Sequence, residues 1–219
     1  MTQITRAQFF LGTAAAVTAA LILTLSPAAL AQGVVSEWKT VQAPPAPTLE
    51  TVTVDPQKTA LLIMDFNQGL CGGGARSLPR CVSALPRVKD LLDKARAHHM
   101  LIVFTGYPHM APRVKELAPM KDEQVVVGHA DKFDGTDLDR ILKDHGITTV
   151  ITTGVVANGA VLFTAFGAAS RGYKVIVPVD AMPGMNAYAE QSSIWGIEHD
   201  PGLGERSCTL TSVDMIKFP

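Results

Sequence analysis

The sequence predicts an α/β fold in which an open, mostly parallel sheet is covered by helices on both faces. Two observations carry this reading. Five short runs, "TALLIM", "MLIVFT", "QVVV", "TTVITT" and "KVIVPV", are apolar, β-rich and bounded by polar or glycine-containing turns, so they read as strands buried on both faces and hence parallel. Among them lie the amphipathic stretches "ALPRVKDLLDKARAHH", "TDLDRILKDHG" and "GAVLFTAFGAASRG", suited to the crossovers that parallel strands require. Ligands of such sheets bind outside the carboxyl ends of the strands, so the residues directly after each strand carry the search for a site.

In chain order, residues 1–31 stand apart from the fold. Arg6, the apolar run from Phe9 to Leu25 and the small-residue ending "AALA" read as a secretory leader cleaved after Ala31, with an uncleaved membrane anchor as the alternative. Gly12, Thr13 and Thr18 interrupt that run, and it is short for a bilayer span. No stable membrane span is therefore expected after cleavage, and the mature protein is expected to be secreted or periplasmic. Residues 32–57 hold Pro44, Pro45, Pro47 and Pro56, which oppose helix and favour an extended segment; one folded domain is expected over residues 58–219. Leu85, Val88, Leu91, Leu92 and Ala95 form one apolar stripe in the first helical stretch, and the other two stretches stop at Gly146 and Gly172.

The chain is 47% hydrophobic and 18% charged, which excludes a disordered or fibrous protein. Setting Arg6 aside with the leader leaves 18 of the 19 basic side chains against 20 acidic ones, a net charge of −2 with no basic cluster. That balance gives no footprint for nucleic acid. An oxidising compartment would let Cys71 and Cys81 pair and leave Cys208 odd; the other reading of Cys71 is a pocket thiol, because it follows a strand in a glycine-rich loop.

Asp65 ends the first strand in "LLIMDFNQG", with Asn67 two residues on as a candidate for the pocket. A carboxylate after a buried apolar run is costly without partners, and burial raises its pKa toward values useful for proton transfer; the alternative is an Asp that caps the turn. The second strand leads to "TGYPHMAP", where Tyr107 and His109 are candidates for a pocket wall, although a lone His beside Pro also suits a solvated loop. No pair of His at helical spacing and no His–carboxylate constellation accompanies His109, so no metal is expected.

The third strand leads to "GHADKFDGTDLDRIL". There Lys132 can orient a carboxylate, stabilise an anion or assist proton transfer, and Phe133 is a further pocket candidate; a solvated lysine at a helix entrance is the other reading. The fourth leads to "TTGVVANGAVLFTA", the outline of a catalytic elbow. Gly154 allows a sharp turn, Val156 and Asn158 lie in the turn, and the N–H groups of Gly159 and Ala160 near a helix N-terminus can cradle an anion. Small residues here equally suit a helix packed closely on the sheet.

The segments "LLIMDFNQG", "DKFDGTDLDRILKDHGITTVITTG", "GVVANGAVLFTAFGAASRGYKVIVPVDA" and "TLTSVDMI" are similar, in order and spacing, to those of the isochorismatase-like hydrolases, the cysteine hydrolase superfamily, which the chain resembles from about Lys58 to Phe218. The resemblance implies a three-layer αβα sandwich around a mostly parallel sheet of about six strands, a small-molecule substrate, no cofactor and association into a homo-oligomer. Typical members hydrolyse amides, ureides or nitrogen-linked carbonyls through a thioester, using Asp, Lys and Cys. Asp65 matches the aspartate. Ala160 matches the cysteine, so the usual nucleophile is missing. Anchoring on Phe133 and Thr136 puts the family's lysine near Val127 or Gly128, so a shortened loop would have to bring Lys132 into the pocket.

True isochorismatases similarly lack the cysteine and cleave a vinyl ether by protonating it from the aspartate before water attacks. They carry an aromatic residue and a His in the elbow where this chain has Val156 and Asn158, so isochorismate itself is not carried across. The family's non-proline cis peptide would fall between Val155 and Val156. The leading expectation is an exported hydrolase using Asp65 for acid–base chemistry, with Asn158, the elbow N–H groups and Lys132 assisting. The alternative is a noncatalytic small-ligand-binding protein of the same fold. A third reading, an amidase using the Cys71 thiol, is removed if Cys71 and Cys81 are bridged.

Overall fold

The computed structural model describes residues 33–200 and 207–219; the expected leader lies outside them. The chain divides after Pro45 into two units. In the described part of the first, Val34–Glu37 forms a single helical turn, α1, ahead of the prolines that keep the rest of the segment extended.

The second unit runs β1 (Val52–Thr53), β2 (Thr59–Met64), α2 (Gln68–Cys71), α3 (Pro79–Ala97), β3 (Leu101–Gly106), β4 (Gln124–Val127), α4 (Leu138–Asp144), β5 (Thr149–Gly154), α5 (Leu162–Ser170), β6 (Lys174–Pro178), α6 (Ala187–His199), β7 (Cys208–Thr211) and β8 (Ile216–Lys217). Strands β2 to β7 form one six-stranded sheet in the order β4-β3-β2-β5-β6-β7, with every pairing parallel.

Every residue of β2 is buried, and its side chains alternate between two cores. Ala60, Leu62 and Met64 pack with Leu138 and Leu142 of α4, Ala165 and Ala168 of α5 and Ile197 of α6, while Leu61 and Ile63 pack with Val88, Leu91, Leu92 and Ala95 of α3. A continuously apolar strand between two helical layers is what the sequence pattern requires. No helix among the described residues is long and apolar enough to cross a membrane.

The packed body begins ahead of Lys58. Glu50 N–H donates to the Leu210 carbonyl at 2.9 Å, buried Val54 donates to the Lys217 carbonyl at 3.0 Å, and β1 pairs in parallel with β8. Prolines exclude helix from this stretch but leave a strand possible, and β1 uses the freedom.

The sheet order places the site. Strands β3 and β4 extend to one side of β2 while β5, β6 and β7 extend to the other, so chain direction across the sheet reverses between β2 and β5. The carboxyl ends of these two strands flank the switch-point crevice, where open α/β sheets bind ligands.

A disulfide joins Cys71, at the end of α2, to Cys81 in the first turn of α3, and both residues are buried. It closes a short loop that contains three consecutive glycines, Gly72 to Gly74, whose unfolded-chain freedom is large. Replacing both cysteines with Ala should lower the unfolding free energy by about 2–3 kcal/mol, the loop-closure entropy for a ring of this size. Urea denaturation of the oxidised parent and the double variant measures it; a difference below about 0.5 kcal/mol would contradict the structural role.

Candidate active site

Asp65 follows the last residue of β2 and has a positive φ of 62°, in the left-handed region that Asp tolerates better than most side chains. This turn directs the carboxylate into the crevice edge rather than along the strand. The main chain is held by the Asp65 N–H donating to the Thr105 carbonyl at 3.3 Å and by the Asn67 side-chain amide donating to the Asp65 carbonyl at 2.8 Å. The other end of the Asn67 amide accepts from Leu70 N–H at 3.1 Å and caps α2. Both ends of the Asn67 amide thus help to shape the turn that carries Asp65.

The Asp65 carboxylate is 6% exposed and has two partners. Lys132 Nζ lies 2.8 Å from Oδ2, and the Thr105 hydroxyl donates to Oδ1 at 3.3 Å. Lys132 is completely buried, and its ammonium also donates to the Gly106 carbonyl at 3.4 Å. A buried ammonium persists only where carboxylate and carbonyl oxygens replace its water. Burial pushes the Asp65 carboxyl above its ordinary value of 3.8; the hydrogen bond and charge of Lys132, the Thr105 hydroxyl and the charge of Arg113 oppose that rise without cancelling it.

Lys132 reaches Asp65 because its loop is folded back on itself and pinned to α5. Gly128 N–H donates to the Gly106 carbonyl at 3.0 Å, and a Cβ at Gly128 would meet the Thr136 side chain at 2.7 Å, so only glycine permits the closure. The Thr164 hydroxyl of α5 accepts from Lys132 N–H at 3.1 Å and donates to the Ala130 carbonyl at 3.2 Å. Asp131, whose carboxylate accepts from Phe133 N–H at 2.9 Å, rests against Gly167, where an added Cβ would lie only 2.5 Å from it.

The elbow emerges beside Asp65. Met64 is in register with Gly154, and Val155 N–H donates to the Met64 carbonyl at 3.1 Å, so the two chains leave the sheet side by side. A Cβ on Gly154 would meet the Met64 Cβ at 2.7 Å, which explains the glycine. The Val155–Val156 peptide is cis, where the resemblance puts it. Ala157–Val161 then makes one wide helical turn leading into α5, with Ala157 N–H bonded to the Pro183 carbonyl at 3.1 Å. Ala160 is buried in this turn, Val156 is half-buried, and Asn158 is exposed, its side chain making no hydrogen bond among the described residues. Gly159 N–H donates to the Val156 carbonyl at 2.9 Å.

Tyr107 and His109 lie on the loop after β3, exposed, at the mouth of a cavity of about 270 Å³ that also touches Gly106, Met110 and Arg113. Phe133 follows Lys132 on the pinned loop. Its ring is buried against Tyr173, with centroids 5.9 Å apart, and under the Arg171 guanidinium at 4.7 Å, because the pinned loop turns it toward the core. Two residues near Asp65 were not singled out from the sequence, Thr105 and Arg113. Thr105 carries a signal in retrospect, a polar residue closing an apolar strand; Arg113, in a Pro-flanked loop, carries none.

Among the described residues Cys208 carries the one free thiol. Cys71 and Cys81 are bonded to each other, and Cys208 pairs with Val175 near the amino end of β6, at the opposite end of the sheet, with burial pushing its thiol up to about 11.

Known proteins agree with this architecture. The profile described as Isochorismatase domain matches residues 59–205. The chain is 26% identical over 195 residues to the uncharacterized isochorismatase family protein YwoC of Bacillus subtilis, covering 77% of this chain and 100% of that one. It is 31% identical over 153 residues to the secreted isochorismatase effector Isc1 of Verticillium dahliae, covering 62% and 80%. Against the maleamate amidohydrolase of Pseudomonas putida it is 26% identical over 174 residues, covering 67% and 82%. Among solved structures, a cysteine hydrolase from Pseudomonas syringae superposes with a TM-score of 0.66 at 21% identity, covering 77% of this chain and 95% of that one. The isochorismatase family protein of Desulfovibrio vulgaris gives 0.64 at 22% identity, covering 72% and 95%. With this profile match over most of the folded body, and a parallel sheet that superposes on the family's structures, the chain belongs to the isochorismatase family of hydrolases.

Proposed function

We propose that the protein is an exported hydrolase that opens a small-molecule substrate by proton transfer from Asp65, without a protein thiol. The observation that carries this reading is the buried Asp65–Lys132 pair beside an elbow that holds Ala160. Burial pushes the Asp65 carboxyl above its ordinary value, which makes its protonated form more accessible than that of an exposed aspartate, and in this reading that form meets the substrate. Once that proton passes to the substrate, the Lys132 ammonium at 2.8 Å stabilises the carboxylate left behind. Water attacks the activated substrate, and the proton it sheds restores Asp65. Asn158 positions the substrate from the elbow, and the Ala160 N–H supplies an anion contact.

Export is supported by the leader-like start of the chain and by the Cys71–Cys81 bridge, a bond characteristic of oxidising compartments. Self-association is supported by the aromatic side chains of Phe163, Tyr188 and Trp195 exposed on α5 and α6.

The relative named for maleamate makes amides the first substrates to test, and vinyl ethers and esters complete the screen. One class should turn over, and alkylation with iodoacetamide should leave the rate within twofold. Loss of rate on alkylation contradicts thiol-free chemistry. Binding of small ligands without turnover of any class selects the noncatalytic reading instead.

A further inference from the structure

We infer that the loop between Cys71 and Cys81 is a processing site, cut between Arg76 and Ser77 by a serine endoprotease of trypsin-like specificity, and that the disulfide keeps the two resulting chains in one body. This goes beyond the proposed chemistry, and the proposed export supplies the compartment in which such a protease is met.

A protease needs a segment that can be drawn out as an extended strand across its catalytic cleft, and this loop offers one. Residues 72–76 are all exposed. Among the described residues, the Gly74 carbonyl is the one main-chain group of residues 73–76 with a hydrogen-bond partner, the Ser77 N–H at 2.9 Å. Opening therefore breaks a single turn bond while Gly72, Gly73 and Gly74 regain their freedom. The Ser77 hydroxyl favours the same motion: it is buried without a partner among the described residues, and opening lets it reach water. Exposed tips built of small residues are where folded chains are nicked.

Arg76 gives the loop its specificity. Its side chain is exposed, with no hydrogen-bond or ion-pair partner among the described residues. A trypsin-like pocket selects such a side chain with a buried carboxylate. Gly74 and Ala75 before the bond and Ser77 after it are too small to obstruct the cleft. No acidic residue lies between Cys71 and Cys81, so the loop brings no carboxylate to compete for the guanidinium or to repel the pocket.

Basic residues elsewhere in the described body fail one of these demands. Most lie in helices or strands, whose hydrogen bonds must break before a protease can extend them. The Lys58 carbonyl accepts from Thr148 and Thr149 N–H at 2.9 and 3.0 Å, Lys132 is buried, and Arg113 is half-buried and bridged to Asn67. Arg171 caps α5 and faces Asp131. Lys121 lies in an exposed turn, but Asp122 and Glu123 follow it and set negative charge against an acidic pocket.

The cut leaves the body held together. Hydrolysis through an acyl-enzyme adds one water across the Arg76–Ser77 amide, leaving a carboxylate on Arg76 and an ammonium on Ser77. On the amino side, Cys71 and Gly72 N–H stay bonded to the Asn67 and Gln68 carbonyls at 2.8 and 3.0 Å. On the carboxyl side, Leu78 N–H still donates to the Leu70 carbonyl at 2.8 Å, and Pro79 still opens α3. The Cys71–Cys81 bond then ties one chain to the other.

The test is limited digestion of the oxidised protein with dilute trypsin, followed by gel electrophoresis with and without reductant and by mass mapping of the pieces. Within residues 46–200 the first cut should fall between Arg76 and Ser77. The two pieces should run as one band before reduction and separate after it, and the circular dichroism spectrum should be unchanged. Arg76→Gln should slow this cut at least about tenfold, whereas Arg76→Lys should keep it within about fivefold of the parent, because the pocket reads either cation. The inference is overturned if the loop stays intact or if another bond within residues 46–200 is cut first. It is equally overturned if Arg76→Gln is cut in the loop as fast as the parent, or if Arg76→Lys resists as Arg76→Gln does. Loss of the circular dichroism spectrum on cutting would also overturn it, since the cleavage would then begin degradation rather than yield a two-chain protein.

Discussion

Asp65→Asn should lower kcat by at least about a thousandfold on any substrate the parent turns over, within the range that loss of a positioned acid produces. The amide keeps the size of the carboxyl and tolerates the left-handed backbone at this position. Its oxygen still accepts from Lys132, and the Thr105 hydroxyl remains within reach. Only the exchangeable proton is lost, so ligand binding should stay within about threefold and the circular dichroism spectrum should be unchanged. The parent's pH profile gives the companion result. The acid is active when protonated and its pKa lies above 3.8, so kcat should hold on the acid side and decline as pH rises through that elevated value. Retention of more than a tenth of parental kcat by Asp65→Asn would remove acid catalysis from the account, and a rate that rises across the same limb would reassign Asp65 as a base.

The fold was legible in its continuous apolar runs, four of them largely buried on both faces and the fifth, β4 at the sheet's edge, exposing Val125 and Val127. All five such runs are strands, and the glycine that ends β5 stands where the chain turns against Met64. The sixth strand, β7, escaped because "CTLT" is half polar and sits at the sheet's edge, where only part of it is buried. The pairing of β1 with β8 escaped for a different reason: each is two residues long, and nothing local predicts an association between the two ends of the folded body.

Candidate site residues were legible where the backbone alone sets position. Asp65 and the elbow follow adjacent strands, so topology brings them together whatever their side chains do. Lys132 was ambiguous because its reach depends on a loop closure written in three separate places: the missing Cβ of Gly128, the Thr164 hydroxyl and the space left by Gly167 for Asp131. Phe133 lies on the same loop. Adjacent residues on a pinned loop point in opposite directions, so the fold that buries the ammonium against Asp65 turns the neighbouring ring toward Tyr173.

Lys132→Met is the second decisive change, and it should move two observables in opposite directions. Methionine fills a comparable volume with an adaptable apolar chain, so packing survives while the ammonium is lost. Asp65 then loses both the hydrogen bond and the charge that hold its pKa down, and its carboxyl should stay protonated to higher pH than in the parent. The declining limb of the kcat profile should therefore shift toward alkaline pH. Yet kcat itself should fall by about a hundredfold or more, because the carboxylate formed by proton transfer no longer has a cation 2.8 Å away. Stability obeys the same linkage. A carboxyl whose folded pKa is raised contributes fully below its unfolded value and loses that contribution as pH rises through the folded value. With the folded value higher still in the variant, the loss extends over a wider window, so the gap to the parent in urea denaturation should be small near pH 4 and larger near pH 8. Combined with Asp65→Asn, the substitution should cost little further activity, since the cation acts through the carboxylate it stabilises. A lysine that merely filled the core would reduce kcat without moving the limb; an unmoved limb with kcat within threefold of the parent would take Lys132 out of the mechanism.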